Sequence, residues 1–327
     1  TDEEANLFTT GWGLTGFNTL GYTMGDVTMT PDYPRAAQLA SDMQKAIVGD
    51  DIDGVFAVDP VFLQYMLGIV GGTQLPDGTV VDGSNAAKVL LHDIYWNYPV
   101  EEQDAIFAAV AGSAFNKIVD ELGSSDIAKI AGAIEKGASE GRILMYSRND
   151  DEEKAAKALG ISGALQADTS EAPILGVYVN NYSYSKMDWF LDKRVTIDSS
   201  VENADGSTTY RVTTSLKNTM TPQEKAEMPG YFQGHNGISQ DIDDEVLRLY
   251  LYAPAGGSIS DIKTSGSGSI EMNEATHDGL KVAWGGVHML LGQDIKVEYT
   301  VTTSKDSGHK ELKVRTTPTA QTFEQDK

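Results

Sequence analysis

The first half of the chain alternates between helical and extended patterns. Apolar residues recur every three to four positions in six segments, which predicts helices with one buried face. These segments are residues 34–47, 61–67, 85–95, 100–122, 126–140 and 150–159. Short apolar runs over 54–58 and 142–147 predict buried strands between the helices. Because strands alternate with helices, we expect a layered α/β domain over residues 1–168.

The second half changes to short extended segments separated by turns. The predicted strands are residues 173–180, 187–199, 208–218, 246–253, 280–284, 287–291, 295–303 and 311–317. A stretch rich in Ser and Gly over 258–269 predicts a surface loop, and 305–308 predicts a hairpin tip. Many short strands with regular turns are typical of a β-sandwich, which we expect over residues 169–327. The whole chain is therefore expected to be an α+β protein of two domains.

Charge and composition narrow the possible functions. The 327 residues carry 48 acidic and 25 basic side chains, which gives a formal net charge of −23. A field of this sign repels phosphate backbones, so we expect no nucleic-acid partner. The chain contains no cysteine, which excludes disulfides and thiolate chemistry. No apolar run is long enough to span a bilayer, so we expect membrane attachment only through an anchor outside this sequence.

Sequence motifs of the common enzyme classes are absent. The five histidines do not pair at ligand spacing, so we predict no metal site built on histidine. The sequence has no Walker motif, no dinucleotide glycine fingerprint and no nucleophile elbow. The acidic runs 50–54 and 241–245 are interpreted as solvated turns, with a weak divalent-cation site in the second as the alternative. We therefore predict no cofactor.

Four charged residues remain as candidates for ligand binding. Arg35 begins a predicted helix, where its guanidinium could hold a phosphate or carboxylate; an ordinary ion pair is the alternative. Asp59 follows a predicted strand at the end where α/β sheets place ligands, or else it caps the next helix. Lys186 lies where the two halves join, and an interdomain salt bridge is its alternative role. Arg142 or Lys186 would supply a second cation.

Several runs of sequence carry a family resemblance. They are DYPRAA at 32–37, DGVFAVDPVFLQ at 53–64, EGRIL at 140–144, GVYVNN at 176–181, SKMDWFL at 185–191, LYAPAG at 251–256 and TPT at 317–319. On these runs the chain resembles the actinobacterial family called domain of unknown function 4012, in order along nearly its whole length. The resemblance implies a membrane-anchored surface protein associated with exopolysaccharide or cell-wall glycopolymer assembly.

The order of predicted elements over 54–122 is more distantly similar to the LytR-CpsA-Psr family. That resemblance implies an enzyme that transfers glycopolymers from polyprenyl pyrophosphate carriers, with arginines holding the pyrophosphate and acidic residues holding magnesium. The corresponding stretch of this chain, residues 95–104, contains no arginine. A site without cations has little to offset the charge of a diphosphate. We therefore expect the fold to be shared and the reaction not to be.

These observations favour an extracytoplasmic accessory or binding protein of cell-envelope polysaccharide assembly. Its partner would be a glycan, a lipid-linked glycan precursor or an envelope protein. Aromatic side chains that could stack on sugars are Trp96, Tyr98, Trp189 and Tyr231. The alternative function is a magnesium-dependent glycopolymer phosphotransferase in which Arg35 contacts phosphate and Asp59 contacts the metal. A purely structural surface protein is a third class.

Overall fold

A computed structural model of the chain describes residues 2–8, 20–21, 23–75, 77–121, 127–166, 168–169, 171–183, 185–233 and 241–320. The protein is a mixed α/β protein with several sheets, which confirms the predicted class. It divides into two compact units. We call residues 41–163 with 228–232 the helix-rich unit, and residues 1–40, 164–227 and 233–327 the strand-rich unit.

Three helical elements open the chain. They are α1 (Asp2–Leu7), a 3₁₀ helix over Met24–Met29 and α2 (Tyr33–Val48). Proline at the second position of α2 is tolerated because the first-turn N–H groups of a helix have no partner within the helix. The division between the two units falls within α2, after Ala40.

The helix-rich unit is built around α3. Its elements are β1 (Gly54–Val58), α3 (Pro60–Val70), β2 (Thr73–Gln74), β3 (Val80–Val81), α4 (Ala86–Lys88), a π-helical turn (Val89–Asp93), α5 (Ile94–Asn97), α6 (Val100–Glu121), α7 (Ile127–Ser139), β4 (Ile143–Ser147) and α8 (Asp150–Ala158). One side of α3 places Leu67 in a core with α6 and the helix over residues 86–97. Another side places Phe62 and Met66 in a core with α7, β4 and α8.

The strands β1 and β4 pair antiparallel, with Val58 opposite Ile143. The carboxyl end of β1 therefore lies beside the amino end of β4. The reasoning that placed Asp59 at the ligand-binding edge of a parallel sheet was wrong for this pair, because that rule requires neighbouring strands to end at the same edge. In this arrangement Asp59, which follows β1, lies beside Arg142, which precedes β4.

The strand-rich unit contains two larger sheets. Its strands are β5 (Ile174–Asn181), β6 (Leu191–Glu202), β7 (Thr208–Asn218), β8 (Glu245–Tyr252), β9 (Ser258–Gly266), β10 (Ser269–His277), β11 (Leu280–Met289), β12 (Asp294–Thr302) and β13 (Lys313–Thr316), with the short helix α9 (Pro222–Glu227). The short helix α10 (Gly230–Gln233) belongs mainly to the helix-rich unit. One sheet has the order β10-β11-β8-β5-β13, and the other has the order β6-β7-β12-β9. All pairs are antiparallel except β13 with β5.

Both sheets contribute to one hydrophobic core. It contains Leu247, Leu249 and Leu251 from the five-stranded sheet and Val297 and Val301 from the four-stranded sheet, all buried. Alternate residues of each strand enter this core, as the two-residue repeat of a strand requires. The burial of side chains from both sheets in one cluster stabilises the unit through the hydrophobic effect.

The predicted loop over 258–269 was wrong. This segment forms β9 and the start of β10, joined by Ser267 and Gly268. Both strands lie at sheet edges and expose most of their residues, and the bulged strand β9 has no regular alternation of apolar and polar residues. The predicted strands 280–284 and 287–291 are one strand, β11. The predicted hairpin tip at 305–308 is a 3₁₀ turn that leads to the parallel strand β13.

The two units are defined by their internal contacts and contain non-contiguous stretches of chain. Residues 1–40 group with the strands, although sequence reasoning assigned them to the first domain. The predicted domains 1–168 and 169–327 stay a prediction.

Candidate functional site

Asp59 and Arg142 are brought together in the helix-rich unit. Arg142 Nη1 donates to Asp59 Oδ2 at 2.6 Å, and the backbone N–H of Asp59 donates to the carbonyl of Arg142 at 3.0 Å. The other carboxylate oxygen of Asp59 accepts the N–H of Phe62 at 2.7 Å, which caps α3. Of the two predicted roles for Asp59, the helix cap is therefore observed.

Arg142 is also held by a second carboxylate. Its Nε donates to Glu140 Oε2 at 2.7 Å, and the hydroxyl of Tyr65 donates to the same oxygen at 2.9 Å. Lys136 lies over the ring of Tyr65, with its Nζ 3.9 Å from the ring centre. The Arg142 side chain is only 6% exposed. The result is a charge network in which one buried guanidinium lies between two carboxylates.

The electrostatics of this network follow from its burial and its opposite charges. Burial raises the pKa of Asp59, although the N–H of Phe62 and the guanidinium of Arg142 lower it. Burial lowers the pKa of Arg142, but the carboxylates of Asp59 and Glu140 raise it more, so the net shift is upward. Arg142 is therefore charged at any physiological pH, and its charge is already balanced within the chain.

Asp59 does not fit the role of a magnesium ligand. One of its oxygens is occupied by the α3 cap and the other by Arg142. Magnesium needs oxygen ligands in near-octahedral geometry, and a guanidinium within hydrogen-bond distance of the same carboxylate opposes a cation there. Among the described residues, no group of three His, Cys, Asp or Glu side chains could hold a metal ion.

Arg35 lies in the strand-rich unit and pairs with Glu4. Its Nε donates to Glu4 Oε1 at 2.9 Å and its Nη2 to Glu4 Oε2 at 3.4 Å, in a two-pronged arrangement. Burial raises the pKa of Glu4, but hydrogen bonds and nearby positive charge, with Arg35 the largest contributor, together outweigh it and hold the pKa at about 2. A second set of contacts fixes the end of α1: the side chains of Arg248 and Tyr250 both donate hydrogen bonds to the carbonyl of Leu7. The observed contact is thus the ion pair given as the alternative role of Arg35.

Removing this ion pair is expected to loosen α1 without unfolding the protein. We expect Arg35→Ala to lower the free energy of unfolding by about 1–2 kcal/mol, because the buried carboxylate of Glu4 loses a charged donor, although the guanidinium itself is partly exposed. Amide hydrogen exchange over residues 2–8 should accelerate, since Glu4 loses its partner. Arg194→Ala, which removes an ion pair to the near neighbour Asp192, is the control and should leave that exchange unchanged. Unaltered exchange in Arg35→Ala would contradict a structural role.

Lys186 lies within the strand-rich unit, before a 3₁₀ helix over Met187–Phe190 that contains Asp188. Burial lowers the pKa of Lys186, while Asp188 acts in the opposite direction. Asp188 accepts a hydrogen bond from Asn181 Nδ2 at 3.0 Å. Burial nevertheless raises the pKa of Asp188 to about 6. Lys186 is therefore part of a buried polar group at one end of the sheets.

Glu245 belongs to the same group, and sequence reasoning missed it. Its side chain is fully buried, and within the described part of the chain neither carboxylate oxygen has a hydrogen-bond partner. Burial raises its pKa well above the ordinary value, and the nearby carboxylates of Asp188 and Asp244 raise it further. The sequence signal that could have identified Glu245 is the two-residue repeat of a strand. Glu245 is two residues before Leu247 and four before Leu249, so all three lie on the inward face of β8. The predicted strand began one residue later, at 246.

The acidic run 241–245 is only partly solvated. Asp243 pairs with Lys225 at 2.6 Å, and Asp244 pairs with His288 at 2.9 Å. Asp243 and Asp244 are buried along with Glu245, so the interpretation of the run as a solvated turn was wrong for these three residues. The carboxylate of Asp243 faces the ammonium group of Lys225, and that of Asp244 is hydrogen-bonded to His288 and raises the pKa of its imidazole. These partners offset part of the cost of burying the two carboxylates.

An aromatic cluster surrounds the π-helical turn of the helix-rich unit. His92 in this turn stacks on Trp96, with ring centres 4.6 Å apart, and Phe232 meets both rings edge-on. Tyr95 lies 6.5 Å from Tyr231, which is 43% exposed. Single π turns within helices are often found at functional sites. Of the four aromatic residues proposed for stacking, Tyr231 exposes the most surface; the other three are partly or mainly buried.

Comparison with known proteins gives one family match. A family model described as "Protein of unknown function (DUF4012)" matches residues 8–95, a region that contains Arg35 and Asp59. This match supports the resemblance to that family over that region; the actinobacterial source and the similarity to the LytR-CpsA-Psr family stay predictions. No curated protein matches the chain. No helix in the described ranges is both long and apolar enough to cross a membrane.

One solved structure shows a weak similarity. It is a crystal structure of a Legionella pneumophila protein that is provisionally described as a nutrient binding protein. The identity is 9% and the TM-score 0.18, over 40% of this chain and 38% of that protein. The chain thus spans well under half the length of that protein, and a similarity at this level carries no structural or functional argument.

Proposed function

We propose that this chain is an extracytoplasmic accessory or binding protein of cell-envelope polysaccharide assembly, with a layered α/β domain and a β-sandwich. The observation that supports a binding role is that the two arginines predicted to contact phosphate are already paired with carboxylates of this chain. Arg142 lies between two carboxylates, and Arg35 is paired with Glu4. A phosphotransferase needs cations directed at the phosphate that reacts. Guanidinium groups already neutralised within the chain do not supply that charge.

The aromatic cluster around the π turn supports a glycan as the ligand. Sugar rings present C–H groups that pack against aromatic faces, while their hydroxyls bond to neighbouring polar groups. Tyr231 offers an exposed ring, and Asp93 lies in the π-helical turn, where its carboxylate contacts His92 and Lys88. The envelope location rests on the family resemblance and is part of the proposal.

Glycan binding should depend on the ring of Tyr231. We expect Tyr231→Ala to weaken binding of envelope oligosaccharides by about tenfold, because one stacking contact is lost. Tyr231→Phe is the matched control and should bind as the wild type does, since it keeps the ring face. Binding would be measured first on a glycan array and then by isothermal titration calorimetry. No oligosaccharide bound by the wild type, or equal binding by Tyr231→Ala, would count against this site.

The alternative function, a phosphotransferase, predicts that the chain binds a lipid pyrophosphate carrier together with magnesium. Native mass spectrometry with a short-chain polyprenyl pyrophosphate, with and without magnesium, would separate the two functions. We expect no saturable, magnesium-dependent binding, because Asp59 and Arg142 neutralise each other. Saturable binding that requires magnesium and is lost in Arg35→Ala would overturn the binding-protein proposal in favour of the enzyme.

A further inference from the structure

The two sheets of the strand-rich unit are open along one side. β9 is the last strand of the four-stranded sheet, β10 is the last strand of the five-stranded sheet, and a short turn joins them. Between these edges lies a groove with two adjoining cavities of about 470 and 450 Å³. The first is lined by residues of both strands, 260–262 and Thr264 from β9 and 270–274 from β10, and the second continues toward Ser258 and Lys281. We call this the edge groove.

A β-bulge in β9 lies beside the edge groove. The pairing of β9 with β12 is regular as far as Lys263 opposite Glu298 and resumes at Ser260 opposite Thr300. Asp261 within this irregularity has φ 52°, a left-handed backbone conformation that is uncommon outside glycine. Asp261 and its neighbour Ile262 both line the first cavity. Bulges that redirect a side chain are frequent next to binding sites.

The lining of the edge groove has an apolar floor and an acidic rim. Ile262, Ile270 and Met272 are half-buried and pack against the core shared by the two sheets. The exposed acids on the rim are Asp261, Glu271 and Glu274. No aromatic residue is among the groove-lining residues, so the groove lacks the flat ring faces that favour sugars. The chemistry instead suits a ligand with apolar and cationic groups.

The backbone of β10 adds a set of directional hydrogen-bonding groups. Within the residues that the structure describes, β10 pairs with β11 alone, so every second N–H and C=O of β10 points away from its sheet. α1 packs near the far end of β10, where Asp278 donates its N–H to Glu3. The segment 270–274 beside the groove has most of its residues exposed. Such an edge can accept an extended polypeptide as an additional strand.

We propose that the edge groove binds an extended, positively charged polypeptide segment of a partner protein, which adds to β10 as a further strand. Backbone hydrogen bonds to β10 would supply affinity. Alternate side chains of the segment would pack on Ile262 and Met272, and Lys or Arg side chains would contact Asp261, Glu271 and Glu274. The groove and the aromatic cluster around the π turn share no residue, so this inference does not depend on glycan binding.

The test uses the whole chain and a labelled peptide of about ten residues in which Lys and Val alternate, long enough for one edge strand. Fluorescence anisotropy should show saturable binding. Glu271→Lys combined with Glu274→Lys should weaken this binding by about tenfold or more, because two attractive contacts become repulsive. Glu202→Lys is the control, because it makes the same type of charge reversal at the end of β6, on the opposite edge of the four-stranded sheet. It should have little effect on peptide binding.

Two further comparisons separate strand addition from general attraction to an acidic protein. A peptide N-methylated at alternate residues keeps its charge but cannot form a full ladder, and it should bind at least about tenfold more weakly. Bound peptide should also protect amides of 270–274 from hydrogen exchange. Equal binding of the N-methylated peptide, equal loss in Glu202→Lys, or binding of an oligosaccharide to the groove in place of the peptide would overturn the proposal.

Discussion

Replacement of Glu245 by methionine is expected to stabilise the protein by about 2–4 kcal/mol at pH 8. Glu245 occupies an inward position of β8, in line with Leu247 and Leu249, and is fully buried. Methionine has a similar volume and an unbranched chain, so it can fill the same space without a charge. The gain arises because the buried carboxylate loses its hydration and finds no hydrogen-bond donor among the described residues.

The stabilisation should depend on pH in a defined direction. The pKa of Glu245 is raised in the folded protein, and that of Asp188 is raised from 3.8 to about 6. Stability contributed by such groups is fully present below their unfolded pKa values and is lost as pH rises through the folded values. The free energy of unfolding of the wild type should therefore fall between pH 4 and neutrality; Asp188 alone accounts for about 3 kcal/mol of that loss.

Chemical denaturation at several pH values would measure both effects. Glu245→Met should flatten the pH profile above pH 4, and Asp188→Asn should remove the part of the fall between about pH 4 and 6, because asparagine can still accept the bond from Asn181. Glu298→Met, at an exposed position of β12, is the control and should change stability by no more than about 0.5 kcal/mol. A destabilised Glu245→Met would show that the carboxylate has a partner in solution.

The helices of this chain could be predicted because their signals are local. Pro60 after Asp59 and the glycine at 71 mark the two ends of α3, and the structure shows the Asp59 cap and a positive φ at Gly71. The strands of the inner sheet positions were also predictable, since β8 is a nearly continuous apolar run and β12 alternates apolar and polar residues. In each case a few neighbouring residues carry the whole pattern.

The candidate site depended on contacts that sequence spacing does not encode. Asp59 and Arg142 are 83 residues apart, and only the antiparallel pairing of β1 with β4 places them together. The edge strands were missed because β9 and β10 face solvent and carry Ser, Thr and Glu where inner strands carry apolar residues. Glu245 was missed because a charged residue at the start of a predicted strand is normally exposed, and here tertiary packing buries it.

Arg142 provides the test of whether the charge network of the helix-rich unit is structural. We expect Arg142→Met to lower the free energy of unfolding by about 3–5 kcal/mol, because Asp59 and Glu140 then face each other without the buried cation between them. Thermal and urea denaturation would measure the loss. Arg148→Met, one residue beyond β4, removes an exposed guanidinium that lies 3.5 Å from Asp51 and should have an effect below about 1 kcal/mol.

A combined variant separates the loss of the cation from the loss of packing. Arg142→Met with Asp59→Asn and Glu140→Gln removes all three charges, so part of the stability should return even though the guanidinium is absent. If Arg142→Met alone is as stable as the wild type, the guanidinium does not hold this part of the fold together. A buried arginine that the fold does not need is better explained by a ligand, and the phosphate-binding role first considered for Arg142 would then become the stronger interpretation.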